Sequence, residues 1–421
     1  MRILLVTLEA PFPLNSGYRL HFWYVVRALA EAGHETVLAS FVGPDQDADS
    51  LSPLRKYAER LELVPFAVNT YETRNYLDLA RGLLSIQPYS ALRYVSADFA
   101  ATLRRLLQSE RFDAIICDQV YALVNLPPDT SVPVIADTFQ VPYFLLRRYA
   151  RHFDHLLKRL YAWVEAEKTR RWEASMLGRL SALGVCSDLD GQLFQSLYPG
   201  VKVVGIPNIV DVNEYQPDLA SEQPNRLLYC GAMNWYPNQD AVQFFAGAIL
   251  PELRRRAPEV RLVAAGRKPS EDFRKRFASL RELEFTGTVP DMHPEFAKAA
   301  VFVVPLRIAG GTRLKILEAA AMARPIVSTR IGAEGLDFVD GEEIVLADNP
   351  HEFAAAVARL LADPARRMAL GQAARRRVER QYSLAALREA LGRALGEVTG
   401  SQSASDDLVG PWKQDPVGQA S

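Results

Sequence analysis

The sequence has few of the residues that build disulfide frameworks and metal centres. Its 421 residues include three cysteines and six histidines, and Cys117, Cys186 and Cys230 stand far apart with no C-x-x-C pair. Disulfide scaffolds and structural zinc sites need ligands at short, recurring spacings. Both are therefore disfavoured, and we expect no metal site.

The sequence also lacks an excess of charge of either sign and a long apolar run at its start. Lys and Arg number 49 against 50 Asp and Glu, whereas strong nucleic-acid binders usually carry a basic excess. The apolar segment 3–6 is too short for a signal-peptide core or a membrane span. We therefore expect a cytoplasmic protein with no nucleic-acid partner.

The length and the apolar pattern together predict two α/β domains. A chain of this size exceeds a typical single core, and short apolar segments alternate with helical stretches in both halves, which is typical of doubly wound parallel sheets. The predicted strands are 3–6, 37–41, 61–64, 114–117 and 132–136 in the first half, and 227–230, 260–265, 283–285, 301–305, 326–328 and 344–346 in the second.

Loop-forming residues set the predicted domain boundaries. The segment 198–225 is rich in Pro, Asn and Asp, and from residue 400 the chain is rich in Ser, Gln, Asp and Gly without periodicity. The predicted division is an N-terminal domain 1–205, a linker 206–224, a C-terminal domain 225–380, a helix 381–399 that packs back on the first domain, and a disordered tail 400–421.

The most informative segment follows the predicted strand 301–305. Gly310 and Gly311 precede Thr312, a residue type that favours the N-cap of a helix. Glycines let backbone N–H groups approach an anion, and a helix amino terminus carries about half a positive charge. Arg313 and Lys315 add full charges, and charge-assisted hydrogen bonds contribute ~1.5–3 kcal/mol each. The segment therefore predicts a phosphate-binding site.

Glu318 lies three residues after Lys315 on the same predicted helix. A carboxylate accepts hydrogen bonds only, so it suits the adjacent hydroxyls of a ribose placed beside the phosphate site. The same K-x-x-E spacing also permits an ordinary surface ion pair. The spacing alone favours the ion pair with Lys315. The surrounding motifs decide between the ion pair and a ribose-binding role for Glu318.

Those motifs resemble the donor-binding block of the retaining, family-4-like glycosyltransferases (glycosyl transferases group 1). The matching segments are 287–291, 301–322, 324–329 and 331–336, together with 206–211, which resembles the hinge P-N-G-V-D, and 231–241, which resembles the loop opening the second domain. The resemblance implies the GT-B architecture, in which two Rossmann-like domains face each other across a cleft and the C-terminal domain binds a nucleotide-sugar donor.

The resemblance assigns donor-binding roles to single residues. It places Glu318 at the ribose, Gly310 to Thr312 under the diphosphate, and Gly17 in the first-domain loop that closes over it. Val289 matches the loop that meets the base, and 266–268 matches a phosphate or sugar loop, although a solvated basic turn has the same composition. The implied donor-binding residues are Gly17, Gly231, Asn234, Asn238, Gly266, Val289, Gly310, Gly311, Thr312 and Glu318.

Three features depart from the family pattern. Gly310 stands where many relatives have the first glutamate of E-x(7)-E, and Phe139 stands where D-x-H-N has histidine. The loop 231–241 also lacks the Arg/Lys pair of many relatives. Arg267, Arg313 and Lys315 are therefore the candidate catalytic cations, because the reaction needs stabilisation of charge on the departing diphosphate.

His21 and Asp137 are the candidate acid or base residues. An inverting transfer needs a general base near the acceptor, whereas the resemblance implies retention. His21 lies near the start of the first predicted helix and either faces the cleft or packs beside Phe22 and Trp23. Asp137 follows the predicted strand 132–136 and either faces the cleft or caps a turn.

Residues 143–172 combine basic and apolar side chains at helical spacing. Such a helix either packs its apolar face on the first sheet or lies on an anionic membrane, where each Lys or Arg contributes about 1 kcal/mol. Membrane binding would bring the cleft to a lipid-linked acceptor at the inner membrane face. The basic residues are Arg147, Arg148, Arg151, Lys158, Arg159, Lys168, Arg170 and Arg171.

The sequence thus predicts a hexosyl-type glycosyltransferase that moves a sugar from a UDP- or GDP-sugar to a glycan or lipid-linked saccharide, without metal or cofactor. A non-catalytic GT-B domain that binds nucleotide sugars or assists assembly is the alternative, motivated by Gly310 and Phe139, although the retained Arg313, Lys315 and Glu318 favour the enzyme. A nucleotide-sugar epimerase would need a carboxylate-rich first-domain site, which the sequence does not reveal.

Overall fold

The computed structural model describes residues 1–43, 46–47, 49–66, 85–153, 155–267 and 269–400. Its described strands form two parallel sheets, one of seven strands and one of six. Separate apolar cores flank the sheets. The predicted α/β architecture with two doubly wound halves is therefore confirmed, while residues 401–421 of the predicted tail lie outside the described part of the chain.

The first sheet has the strand order β3-β2-β1-β4-β5-β6-β7. Its strands are β1 (Arg2–Thr7), β2 (Glu35–Val42), β3 (Arg60–Pro65), β4 (Ala114–Asp118), β5 (Val134–Thr138), β6 (Ala182–Val185) and β7 (Val203–Gly205). The order reverses between β1 and β4, so the loops after these strands border the crevice in which ligands of such sheets bind. The first five strands were predicted, whereas β6 and β7 were not.

The second sheet has the order β10-β9-β8-β11-β12-β13 and reverses between β8 and β11. Its strands are β8 (Arg226–Cys230), β9 (Arg261–Ala265), β10 (Leu283–Gly287), β11 (Val301–Val304), β12 (Ile326–Ser328) and β13 (Val345–Leu346). All six overlap predicted strands. The loops after β8 and β11, which carry the segments 231–241 and 306–313, therefore lie side by side.

Helices connect the strands in both halves. The described α-helices are α1 (Gly17–Glu31), α2 (Tyr89–Leu92), α3 (Ala97–Ser109), α4 (Pro142–His152), α5 (Leu156–Leu177), α6 (Asp188–Leu197), α7 (Tyr236–Phe244), α8 (Leu250–Arg254), α9 (Glu271–Lys275), α10 (His293–Lys298), α11 (Leu314–Ala321), α12 (Arg330–Ala333), α13 (Pro350–Ala362), α14 (Pro364–Gln381) and α15 (Leu384–Thr399). None of them is long and apolar enough to cross a bilayer.

The last described helix, α15, packs against α1 of the first half. Leu387 and Leu391 belong to the same apolar core as Val25 and Leu29. The chain therefore returns to the first sheet after it has completed the second.

The single helix predicted over residues 143–172 is wrong. The backbone of Phe153 is extended, with φ −65° and ψ 137°, and this break divides the segment into α4 and α5, which pack against each other. Leu156, Leu157 and Leu160 at the start of α5 are exposed by 77%, 80% and 56%. The apolar side chains therefore do not all face the sheet, as a single amphipathic helix would require.

Helix α4 also connects the two halves across the cleft. The Arg148 guanidinium makes two hydrogen bonds of 2.6 Å to the Glu334 carboxylate and one of 2.5 Å to the Ala309 carbonyl. The Tyr236 hydroxyl donates to the His152 carbonyl at 3.1 Å. The described conformation therefore has the second-domain loop after β11 closed against the first domain.

Candidate active site

The loops after β8 and β9 cross at close range. A Cβ on Gly266 would lie 1.9 Å from the Gly231 carbonyl oxygen, and a Cβ on Gly231 would lie 2.6 Å from Asn238 Nδ2. Gly266 also has φ +149°, a conformation that other residues rarely adopt. Packing alone therefore requires glycine at both positions, and their contact with a donor stays a prediction. The crossing seats the Asn238 side chain beside the end of β8.

Lys315 is bound at this point by Tyr229 and Asn238. Its Nζ donates to Asn238 Oδ1 at 3.0 Å and to the Tyr229 hydroxyl oxygen at 3.3 Å, and it lies 4.4 Å from the centroid of the Tyr229 ring. Burial lowers the pKa of Lys315 to about 8, opposed by Cys230 and Glu318. Lys315 therefore extends from α11 into the loop that lacks the family's Arg/Lys pair.

Glu318 lies one turn further along α11 and accepts a hydrogen bond from Tyr215. The Tyr215 hydroxyl donates to Glu318 Oε1 at 2.8 Å, and the Tyr215 ring lies 4.4 Å from the His293 ring between centroids. Burial raises the pKa of Glu318, against the hydrogen bond from Tyr215 and the charge of Lys315. The side-chain bonds of Lys315 and Glu318 thus go to other partners, rather than forming the surface pair that the spacing allows.

The prediction that Thr312 is the N-cap is wrong. Helix α11 begins at Leu314, and its N-cap is Arg313, whose side chain makes no capping bond. The Thr312 hydroxyl instead accepts a hydrogen bond of 2.6 Å from Asn208 Nδ2. Thr312 therefore links the linker to the glycine loop.

Arg313 binds backbone carbonyls of the segment that contains α12. Its guanidinium donates to the carbonyls of Ile331, Gly332 and Glu334 at 2.8–2.9 Å, and only 6% of the residue is exposed. The arginine thereby holds α12 against the start of α11. Its Nη1 is buried without a hydrogen-bond partner, and a contact of Arg313 with a diphosphate stays a prediction.

Arg267, Asn234 and Val289 lie on loops at the same edge of the second sheet. Arg267 follows β9 and is half-buried, and its Nε is buried without a hydrogen-bond partner. Asn234 is exposed and Val289 is half-buried. Arg267 is therefore a second cation with an unused donor, while Lys268 lies outside the described residues.

The predicted glycines of the diphosphate site meet where the two domains approach each other. A Cβ on Gly17 would lie 3.2 Å from the Leu314 side chain at the start of α11. Gly311 has φ +65°, and a Cβ there would lie 1.7 Å from the Phe139 carbonyl oxygen of the first domain. A Cβ on Gly310 would lie 3.4 Å from Leu145 Cβ. The structure thus brings the predicted segments together, and at Gly311 the close approach of the domains requires glycine.

His21 and Asp137 are both buried and bonded to each other. His21 Nε2 lies 2.9 Å from Asp137 Oδ2, and Nδ1 lies 2.7 Å from Asn208 Oδ1. Because Asn208 Nδ2 donates to Thr312, its oxygen faces the ring, so both ring nitrogens have acceptors as partners. Burial lowers the pKa of His21, but Asp137 and the two hydrogen bonds outweigh it and raise the pKa overall. The pair favours an imidazolium over a free base.

The sequence analysis missed Asp118, which lies beside Asp137, and Tyr18, which is bonded to it. Asp118 ends β4 directly beside Asp137 of β5, and it accepts hydrogen bonds from the Tyr18 hydroxyl and from the Leu8 amide. Burial raises the pKa of Asp118 to about 7 in spite of these bonds. The remaining carboxylate oxygens, Oδ1 of Asp118 and of Asp137, are buried without partners. Extending the predicted strand 114–117 by one residue would have identified Asp118 by the argument used for Asp137.

Comparisons with known proteins connect this site to a family. A family model described as "Glycosyl transferases group 1" matches residues 224–363. A glycogen synthase of Mycobacterium tuberculosis is 26% identical over 410 residues, with 91% of each chain covered. A GDP-mannose-dependent alpha-(1-6)-phosphatidylinositol monomannoside mannosyltransferase of Mycolicibacterium smegmatis is 35% identical over 140 residues, which cover 30% of this chain and 37% of the relative.

A solved structure agrees in fold over nearly the whole chain. Sucrose-phosphate synthase from Thermosynechococcus elongatus superposes with a TM-score of 0.70 at 17% identity, over 95% of this chain and 100% of that one. Its fold is the GT-B fold predicted for this sequence, and the relatives are named as glycosyltransferases or sugar-polymer synthases. The chain is a glycosyltransferase of the GT-B fold, and its residues 224–363 match the model of the glycosyl transferases group 1 family.

Proposed function

We propose that the protein transfers a hexose-type sugar from a UDP- or GDP-sugar to a glycan or lipid-linked saccharide. The transfer retains the anomeric configuration of the sugar and needs no metal ion. It serves the synthesis of surface polysaccharide or glycoconjugates. The observation that carries this proposal is the placement of Lys315 and Glu318 on one helix, whose start adjoins Gly17 and Gly311. A nucleoside diphosphate spans that arrangement, with its ribose on Glu318 and its diphosphate at the helix start.

The chemistry proposed for this site is stabilisation of the leaving group. Transfer breaks the bond between the anomeric carbon and the donor diphosphate, so negative charge develops on a phosphate oxygen. Lys315 and the amino terminus of α11 place positive charge there, and fixed charges of this kind are usually the largest catalytic contribution in a water-excluded site. These groups, and Arg267 with its unused Nε, take the role that a metal ion has elsewhere.

Two separate observations support retention of configuration and the choice of nucleotide in the donor. Both ring nitrogens of His21 are occupied, so this residue is not poised as the base of an inverting reaction. The mannosyltransferase relative is GDP-mannose-dependent by name and matches this chain at 35% identity over 140 residues. GDP-mannose is therefore the first donor to test, beside the UDP-sugars.

A panel of nucleotide sugars tests the proposal. Each is screened for stabilisation of the protein on heating and then for hydrolysis in the absence of acceptor, because a bound donor raises the free energy of unfolding by mass action. We expect one nucleoside class to stabilise the protein and to be cleaved. Conversion of a donor to its sugar epimer would instead indicate that the Asp118 and Asp137 pair serves an epimerase.

A lipid-linked acceptor is supported by the surface at the start of α5, which consists of Leu156, Leu157, Lys158, Arg159, Leu160 and Trp163. All six are exposed, which combines inserting apolar side chains with cations that attract anionic lipid. The sequence analysis included Arg148 among the basic residues of the membrane-binding helix, but Arg148 is bound to Glu334. We propose that this α5 surface contacts an anionic membrane.

Replacing Lys158 and Arg159 with glutamine is expected to release the protein from vesicles of anionic phospholipid, measured by co-sedimentation at low salt. Each cation contributes about 1 kcal/mol of attraction, so the double variant should bind at least about tenfold more weakly. The matched control replaces Lys168 and Arg170 on the same helix, which pair with Glu165 and Glu167. Equal weakening by both variants, or binding by the parent that salt does not reduce, would contradict the proposed surface.

A further inference from the structure

The loop after β8 has no Arg or Lys in the segment 231–241, yet a cation reaches it from another element. Lys315 crosses from α11 and is bound by side chains of β8 and of the helix that follows, α7. The positive charge that many relatives place on the loop 231–241 itself is therefore supplied here by a lysine of α11. What holds that charge in place determines how the site works.

Asn238 is the centre of this arrangement. Its Oδ1 accepts from both the Tyr229 hydroxyl at 2.7 Å and Lys315 Nζ at 3.0 Å, while its Nδ2 donates to the Ala232 carbonyl at 2.9 Å. Only 3% of Asn238 and none of Tyr229 is exposed. Because the Nδ2 bond fixes the amide orientation, the amide oxygen faces the lysine, and the Gly231 and Gly266 crossing leaves no room for the side chain to turn.

We propose that Asn238 and Tyr229 are positioning residues for the donor diphosphate: they hold Lys315 with neutral acceptors, so that its charge remains available to the phosphate oxygens. This inference rests on the proposed function. A neutral amide and phenol orient the ammonium without neutralising it, whereas a carboxylate at the same place would form a buried ion pair and repel the diphosphate. An asparagine at this position thus favours an anionic ligand.

The pH dependence of kcat/KM for the donor gives a readout that a purely structural role would not move, because it reports groups of the free enzyme. Lys315, with its pKa lowered to about 8, is charged below that pH and neutral above it, so kcat/KM should fall as pH rises through about 8. The charged or titratable groups facing Lys315 are Tyr229, Cys230, Arg313 and Glu318. Burial raises the pKa of Cys230 to about 12 and that of Tyr229 well above 10, so neither titrates in this window.

The fall of kcat/KM above about pH 8 is the alkaline limb of the pH profile. Two variants should shift this limb in opposite directions along the pH axis. Asn238→Asp adds a carboxylate beside the ammonium, which should shift the limb upward by about 1 unit or more and lower kcat/KM at pH 7 at least about tenfold. Tyr229→Phe keeps the ring but removes an acceptor from the charged lysine, which should shift the limb downward, with a smaller loss at pH 7. The second variant keeps the test informative if the first does not fold. Asn213→Asp, at an exposed asparagine, should leave the limb where the parent has it.

The outcomes separate this inference from the proposed function. Both variants could keep the alkaline limb at the parent's pH and change only the melting temperature. That result would show that Asn238 and Tyr229 only pack the structure, and it would overturn the positioning role. A Lys315→Met variant that binds the donor diphosphate as tightly as the parent would instead show that the proposed cation is wrong. Opposite shifts in the two variants, together with loss of donor binding on Lys315→Met, are the expected result.

Discussion

Replacing Lys315 with methionine is expected to lower kcat by roughly 10²–10³, the scale seen when one fixed transition-state donor is removed. The ammonium is held at the edge of the sheet by Asn238 and Tyr229, where we propose that the departing diphosphate gains its charge. Methionine fills a similar volume without the charge, so the variant should fold. Steady-state release of nucleoside diphosphate from the matched nucleotide sugar, at saturating donor, measures the loss.

Two further arginine variants identify which cation acts. Arg313→Met should mainly lower the melting temperature, because Arg313 is bonded to three backbone carbonyls of the α12 segment. Arg267→Met should cost less turnover than Lys315→Met if Lys315 is the principal cation. A larger loss at Arg267 would transfer that role to it, and losses below about tenfold at all three cations would contradict charge stabilisation as the main source of catalysis.

Glu318→Ala is expected to abolish most of the stabilisation that UDP or GDP gives to the parent protein. At a ligand concentration 100 times Kd, a bound nucleotide stabilises a protein by about 2.7 kcal/mol, and removal of the ribose acceptor should raise Kd enough to remove most of this. The thermal shift with and without nucleotide measures the effect. Because Glu318 is on the surface of α11 that faces Tyr215, the fold should persist.

Tyr215→Phe is the matched control for this result. It removes the hydroxyl that donates to Glu318 at 2.8 Å but keeps the carboxylate, so the nucleotide shift should remain larger than that of Glu318→Ala. A full nucleotide shift in Glu318→Ala would show that Glu318 does not contact the nucleotide and serves only as the acceptor of the Tyr215 hydroxyl.

Periodicity and loop composition were sufficient to predict the two sheets. Eleven of the thirteen described strands overlap predicted segments, and β6 and β7 were missed. The prediction worked because buried parallel strands are short apolar runs bounded by helix and loop signals. β6 contains Gly184, and β7 has three residues. A glycine interrupts β6 and ends β7, at Gly184 and Gly205, so these segments resembled the surrounding loops.

The candidate site was predictable in position but not in detail. The glycine loop and α11 lie where the motifs placed them, since strand ends and helix starts follow from the pattern. The partners of Arg313 and Thr312 could not be predicted, because they come from segments 18 or more residues away in sequence, at α12 and at the linker. The same is true of Lys315, whose partner Asn238 is 77 residues away.

The first-domain side of the cleft illustrates the same limit. His21 was weighed as a catalytic base or as a helix residue packed beside Phe22, and the structure places it against Asp137, Asn208 and Phe22. The hydrogen bond from Asn208 to Thr312 extends this network to the second domain. Only the folded chain reveals that a first-domain histidine is connected through the linker to the glycine loop.

A structure of the protein in complex with the nucleoside diphosphate of its donor tests the central claim most directly. The account predicts that the ribose hydroxyls lie on the Glu318 carboxylate, and that Lys315 Nζ lies within about 2.7–2.9 Å of a diphosphate oxygen. A nucleotide bound away from α11, or a diphosphate that leaves both Lys315 and Arg267 out of contact, would contradict it.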